Sequence, residues 1–139
     1  MKCFAALFNA IDQSTKTTVK VAALAEYFET APDSDRILTI SIFSGRRPKR
    51  AVTTTRRREW GAEVAGIPLW LFEEAYPIVG DLAETIALVL PEPSSDSDHG
   101  LSHWINTLRG MADVDEDARK TQVLSAWDSL ATTQRFLFN

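Results

Sequence analysis

The chain has 139 residues, one cysteine and a formal net charge of −4 at pH 7. A single cysteine excludes an internal disulfide framework and a cysteine-based zinc site, and no apolar run approaches the roughly 18 residues of a membrane span. An apolar fraction of 45% and a charged fraction of 24% indicate a folded globule, and the length suits one compact domain over residues 1–139.

Apolar residues at helical spacing predict two helices at the start of the chain. The first carries a stripe that includes Phe4 and Leu7. The second begins at Thr17 or Thr18 and ends near Pro32, because proline cannot continue a helix.

Residues 37–44 are ambiguous, because the run Ile-Leu-Thr-Ile-Ser-Ile-Phe contains β-branched residues that suit a strand. A capping residue before the run, Ser34 or Asp35, and the glycine after it, Gly45, favour a buried helix instead.

Further helices are predicted in the middle of the chain. One spans 54–65 and ends at Gly66. Pro68 suits the first turn of the next helix, which Pro77 and Gly80 are expected to break.

The second half begins with a helix over 82–90, for which Asp81 and Glu84 resemble a capping-box pair. Residues 91–100 are expected to form a solvated loop that divides the chain into two helical halves. The last predicted helices begin at Ser102, at Asp113 or Asp115, and at Thr132 or Thr133. About nine helices and no clear strand predict the all-α class.

Charge is strongly segregated in residues 36–58, which we call the basic window. This window contains no Asp or Glu and has eight basic residues: Arg36, Arg46, Arg47, Lys49, Arg50, Arg56, Arg57 and Arg58. A concentrated positive segment in an acidic protein predicts a polyanionic partner, and nucleic-acid phosphate is the expected one.

The placement of these cations supports phosphate as the ligand. Pro48 keeps its basic neighbours on an extended turn, from which guanidinium groups can fork two hydrogen bonds to a phosphate. Arg56, Arg57 and Arg58 occupy a helix's first turn, where the helix dipole disfavours each cation by about 0.3–1 kcal/mol. A phosphate bound there would be attracted by the free amides and the arginines alike. The alternative is a solvated face whose arginines pair with acidic helices.

Several blocks together form a recognisable pattern: residues 4–7, 20–24, 27–28, 43–50, 80–85 and 134–139. Through them the chain resembles the N-terminal DNA-binding domain of bacterial ATP-dependent DNA ligases. The most specific blocks are Ser-Gly-Arg-Arg-Pro-Lys-Arg at 44–50 and Gly-Asp-Leu-Ala-Glu-Thr at 80–85.

The resemblance implies an all-helical module that clasps duplex or nicked DNA through minor-groove and phosphate contacts. Phosphate contacts are expected from Arg46, Arg47, Lys49, Arg50, Arg56, Arg57, Arg58 and Gly80.

The resemblance also implies that adenylation and OB domains of the parent enzyme seal the nick with ATP and Mg²⁺. The partners implied are DNA and that adenylation domain, with no membrane, in a monomeric bacterial protein of the cytoplasm, nucleoid-associated when bound. Roles in DNA repair, replication and recombination follow from the resemblance.

The family's reactive lysine lies in a Lys-x-Asp-Gly motif, which none of this chain's lysines begins: Lys2, Lys16, Lys20, Lys49 and Lys120. We therefore expect these 139 residues alone to have no cofactor and no ligase activity, and the chain to be a fragment of a longer enzyme.

Other constellations are expected to be structural. His99 and His103 have the i,i+4 spacing of metal ligands, but one lies in a loop, so exposed histidines and no metal site are expected. The four tryptophans are expected mainly in the core rather than stacked on bases, with Trp70 the least settled: Trp60, Trp70, Trp104 and Trp127.

Two other functions remain open from the sequence. A helix-turn-helix regulator would use residues 56–63 as its recognition helix and would usually need a dimer. A protein-binding helical module would use the acidic second half. For the DNA-binding module, neutralising about four to six phosphates predicts a slope of log K against log salt of roughly −4 to −5.

Overall fold

The computed structural model describes residues 1–139 and contains nine α-helices, one 3₁₀ helix and no strand. The helices are α1 Lys2–Asp12, α2 Thr17–Thr30, α3 Asp33–Phe43, α4 Thr54–Ala65, α5 Leu69–Val79, α6 Leu82–Val89, α7 Leu101–Gly110, the 3₁₀ helix Met111–Asp113, α8 Glu116–Ser129 and α9 Thr132–Phe138. The predicted all-α class is confirmed. None of these helices is both long and apolar enough to cross a membrane.

The helices group into two compact units, and each unit is assembled from two separate stretches of chain. The first unit comprises Met1–Lys49 and Asp98–Arg109, and the second comprises Arg50–Ser97 and Gly110–Asn139. One boundary falls inside the non-helical residues 91–100, and another divides the basic window after Lys49. That residues 1–139 form one domain stays a prediction.

An aromatic cluster forms the core of the first unit. Phe4 and Leu7 of α1 are buried with Tyr27 of α2. The Phe4 ring meets the Tyr27 ring edge-on at a centroid distance of 6.5 Å and stacks on Phe43 at 6.1 Å. The hydroxyl oxygens of Tyr27 and Thr39 lie 2.9 Å apart, which joins α2 to α3 inside the core.

Helix α3 resolves the ambiguous segment 37–44 as a helix, but its burial differs from the prediction. Its apolar residues Ile37 and Ile40 are 67% and 56% exposed, whereas Asp35 and Thr39 are buried. The polar face points inward because both polar side chains have hydrogen-bond partners there.

The carboxylate of Asp35 caps α7, a role that the sequence assigned to Ser102. Its two oxygens accept hydrogen bonds from the backbone N–H of Leu101 at 3.1 Å and of Ser102 at 2.9 Å. Asp35 lies within α3, whose N-cap residue is Pro32. A Cβ atom on Gly100 would lie 2.7 Å from the Asp35 carboxylate, so this approach requires glycine.

The second unit packs α4, α5, α6, α8 and α9 around buried aromatic and aliphatic side chains. Trp60, Phe72, Ile86 and Trp127 are at most 4% exposed. A Cβ on Gly61 would meet the Phe72 ring at 3.2 Å, so the small residue lets α4 approach α5 closely.

Most predicted helix ends in this unit are correct, and one is wrong. Helix α4 has the predicted bounds, and Asp81 and Asp115 cap α6 and α8 by accepting backbone N–H groups at 2.8 Å. Pro77, however, lies inside α5, which continues to Val79. Proline has a helical φ and sits in the last turn, so its missing N–H costs one hydrogen bond without ending the helix.

Replacing Asp35 by alanine should destabilise the protein by about 2–4 kcal/mol, because two amides of α7 lose a charged acceptor in a buried site. The matched control is Asp33→Ala, which removes an exposed carboxylate from the same first turn and should cost about 1 kcal/mol or less. Urea denaturation of both variants measures the difference. Equal losses in the two variants would show that the buried cap contributes nothing special.

Candidate functional site

The turn that follows α3 holds the first cations of the basic window in a defined backbone geometry. Gly45 has a left-handed φ of +85°, and its N–H donates to the Ile42 carbonyl at 3.0 Å. The N–H of Arg46 donates to the Ser41 carbonyl at 2.9 Å. These two bonds form a Schellman motif, which requires a residue that tolerates positive φ at Gly45.

Arg46 is also held through its carbonyl oxygen, which accepts a hydrogen bond of 3.4 Å from the Ser41 hydroxyl. Its backbone is therefore attached to the same α3 residue on both sides. The side chains of Arg46, Arg47 and Lys49 are exposed, and no carboxylate forms an ion pair with them. The turn thus presents three cations to solvent, and hydrogen bonds hold the backbone of two of them, Arg46 and Arg47.

A third arginine lies beside this turn, although the sequence analysis did not single it out. An open pocket of about 200 Å³ is lined by residues of α3, the turn and α7: Leu38, Ser41, Ile42, Arg46, Arg47, Pro48, Ile105 and Arg109. Arg109 is exposed and lies in the last turn of α7, outside the basic window. In the sequence it is only one basic residue within the helix predicted to begin at Ser102.

The arginines at the start of α4 have internal partners. Arg56 pairs with Glu59 at 2.8 Å and with Glu116 at 2.9 Å, and these carboxylates raise the pKa of its guanidinium. Arg58 lies 3.7 Å from Glu73. For these two arginines the structure matches the alternative reading, in which the cations pair with acidic helices.

Arg57 points into the second unit and is only 8% exposed. Its guanidinium donates a hydrogen bond to the backbone carbonyl oxygen of Asn139. Burial lowers the pKa of Arg57, and the nearby charge of Arg50 lowers it further, while Asp81 opposes the shift. An arginine remains protonated despite such a shift, so this buried cation joins α4 to the end of α9.

Arg50 and Gly80 are exposed residues of the second unit. Gly80 ends α5 with a left-handed φ of +89°, and the space beside its Cα is open. The following Asp81 caps α6, as predicted. The predicted phosphate contacts of Arg50, Gly80 and the three α4 arginines stay predictions.

The remaining candidate residues are placed clearly. The exposed rings of His99 and His103 stack at 3.8 Å, and His103 meets Trp104 edge-on. Partial burial, followed by the charge of His99, lowers the pKa of His103. Trp60, Trp104 and Trp127 are buried as predicted, whereas Trp70 is 65% exposed.

No group of three or more His, Cys, Asp or Glu side chains is arranged to hold a metal. Two of the five lysines are engaged in ion pairs, Lys2 with Asp98 and Lys120 with Glu63. None of the five begins a Lys-x-Asp-Gly motif, and the expectation that this chain alone has no cofactor and no ligase activity stays a prediction.

A family model described as DNA ligase N terminus matches residues 1–138. The chain belongs to this family. The match confirms the resemblance to the N-terminal domain of ATP-dependent DNA ligases and covers both the turn at residues 44–50 and the block at 80–85. No curated protein and no solved structure matches the chain significantly.

In this ligase-family domain, Arg57→Ala should lower the free energy of unfolding by about 1–3 kcal/mol, because it leaves the Asn139 carbonyl unpaired and removes a buried aliphatic stem. Arg56→Ala removes the same side chain from an exposed position and should change stability much less. Urea denaturation monitored by tryptophan fluorescence tests both variants. A loss from Arg56→Ala as large as that from Arg57→Ala would contradict a structural role specific to Arg57.

Proposed function

We propose that this chain is the DNA-binding module of an ATP-dependent DNA ligase and holds duplex or nicked DNA by its phosphates. The turn after α3 carries the proposal, because in a ligase-family domain it presents exposed Arg46, Arg47 and Lys49, the first two on a hydrogen-bonded backbone. Such side chains need no neighbouring carboxylate to be displaced before they meet a phosphate.

The fixed backbone favours binding for an entropic reason. Ordering one residue's backbone costs about 1–2 kcal/mol, and the Schellman motif meets this cost during folding. Each arginine then loses only side-chain conformational freedom when its planar guanidinium group donates two hydrogen bonds to the phosphate oxygens. Lysine contributes a more flexible point charge.

The second unit contributes in a different way. Arg50 is exposed and has no acidic partner, so it adds a fourth free cation. Arg56 and Arg58 form partly exposed ion pairs, which are weak, so a phosphate can compete with the glutamates for them. Gly80 offers an open backbone for close approach. Arg57 acts from the interior by holding α4 in place.

Under this proposal the module grips DNA and the parent enzyme performs the chemistry. Adenylation and OB domains of the longer chain would bring ATP and Mg²⁺, whereas this module uses no cofactor. We propose that it acts as a monomer in the bacterial cytoplasm, on the DNA of the nucleoid, during repair, replication and recombination.

Duplex affinity should depend strongly on salt and on the turn. Four free cations predict a slope of log K against log salt of about −3 to −4, somewhat shallower than the sequence alone predicts. The variant Arg46→Glu/Arg47→Glu should lower affinity at least about 30-fold and make the slope shallower by about 2. Fluorescence anisotropy with a labelled nicked duplex measures both quantities.

The matched control is Lys16→Glu/Lys20→Glu, which changes the net charge equally within the same unit but at the N-terminal end of α2. It should retain most of the affinity, because long-range effects of exposed charges are screened by salt. Equal losses of duplex affinity in both variants would show that the effect comes from net charge alone. A strong preference for one sequence over scrambled duplex would favour the helix-turn-helix alternative, because phosphate contacts carry no sequence information.

A further inference from the structure

We propose that Arg46, Arg47 and Arg109 form a pocket that holds a single phosphate group. The inference deepens the proposed function and rests on it for the source of that phosphate, the DNA backbone. It adds Arg109, which lies more than 50 residues beyond the basic window, to the binding residues. The shared lining of one pocket by all three arginines carries the inference.

The pocket is built from parts whose positions are fixed within the first unit. The Schellman motif holds Arg46 against α3, and the adjoining Pro48 restricts the turn. Helix α7 is attached to α3 through the Asp35 carboxylate at its N-terminus. Arg109 then lies at the other end of α7, where the negative end of the helix dipole favours a cation.

The charges in the pocket are matched to an anion. Its lining contains three arginines and no carboxylate. Like charges that line one pocket repel each other, whereas an anion bound among them is attracted by every one of them. The rest of the lining is largely apolar, with Leu38, Ile42 and Ile105 beside the exposed arginines.

Size and donor chemistry favour phosphate as the group. At about 200 Å³ the pocket is smaller than the roughly 300 Å³ at which sites for whole small molecules begin. One group of a larger partner, or a small free anion, therefore fits. Arginine pairs with carboxylate and phosphate oxygens alike, but the oxygens of a phosphate are arranged tetrahedrally and not in one plane. This arrangement suits arginines that approach from different sides.

A double-mutant cycle on duplex binding tests the pocket. Arg109→Gln should weaken binding about tenfold and make the salt slope shallower by about 1. Arg109→Lys keeps the charge but cannot donate two parallel hydrogen bonds as a guanidinium does, so an intermediate loss of affinity is expected. Because Arg46 and Arg109 hold the same phosphate, the combined Arg46→Gln/Arg109→Gln loss should be clearly smaller than the product of the single losses.

The control for this cycle is Lys16→Gln, which removes one exposed positive charge from the same unit away from the pocket. Alone it should change duplex affinity by about twofold or less. In the double variant with Arg109→Gln, the fold-loss should equal the product of the two single fold-losses. Thermal unfolding of Arg109→Gln should match that of the wild-type protein, so that a binding loss is not a folding loss.

Inorganic phosphate provides the second readout. In nitrogen-15 NMR, the side-chain Nε–H signals of Arg46, Arg47 and Arg109 should shift together with one midpoint during phosphate titration. Chloride at equal ionic strength should leave them unmoved, and Arg109→Gln should abolish the shifts of the other two arginines.

The outcomes separate this inference from the proposed function. If the wild-type chain binds no duplex at low salt, the proposed function fails, and the phosphate titration alone decides the pocket. If Arg109→Gln abolishes the phosphate shifts but leaves duplex affinity unchanged, the pocket takes a free phosphate rather than DNA. If it changes neither, or if the losses in the Arg46–Arg109 cycle multiply, the pocket proposal is overturned.

Discussion

The carboxylate of Asp35 connects the two stretches of chain that make the first unit. It is buried in α3, and its oxygens accept the first amides of α7, whose donors would otherwise have no partner within their own helix. Gly100 permits this contact by lacking a side chain. Because α7 carries Arg109 at its other end, the same contact determines which arginine lies beside the turn after α3.

The inward position of Asp35 also explains the unusual faces of α3. Asp35 and Thr39 lie one helical turn apart and share the buried face, where hydrogen bonds compensate for their desolvation. The opposite face then necessarily carries Ile37 and Ile40 into solvent. A hydrophobicity pattern alone would orient this helix the other way round.

The arginines of the basic window occupy three environments that the linear sequence does not separate. Those on the turn are exposed and unpaired, Arg56 and Arg58 meet glutamates, and Arg57 is buried against the Asn139 carbonyl. Local sequence indicates how many positive charges a segment carries and where its turns fall. Partners such as Glu116 are distant in the chain, so only folding determines which charges are neutralised.

The sequence predicts the helical class, most helix ends and the segment that carries the positive charge. These features follow from periodicity, capping residues, and glycines such as Gly45 and Gly66, all of which act within a few residues. The sequence does not predict that Asp35 caps a remote helix, that Arg57 is internal or that Arg109 lies beside the turn, which the folded chain alone establishes. Each of these depends on contacts between residues more than 60 positions apart, about which local propensities carry no information.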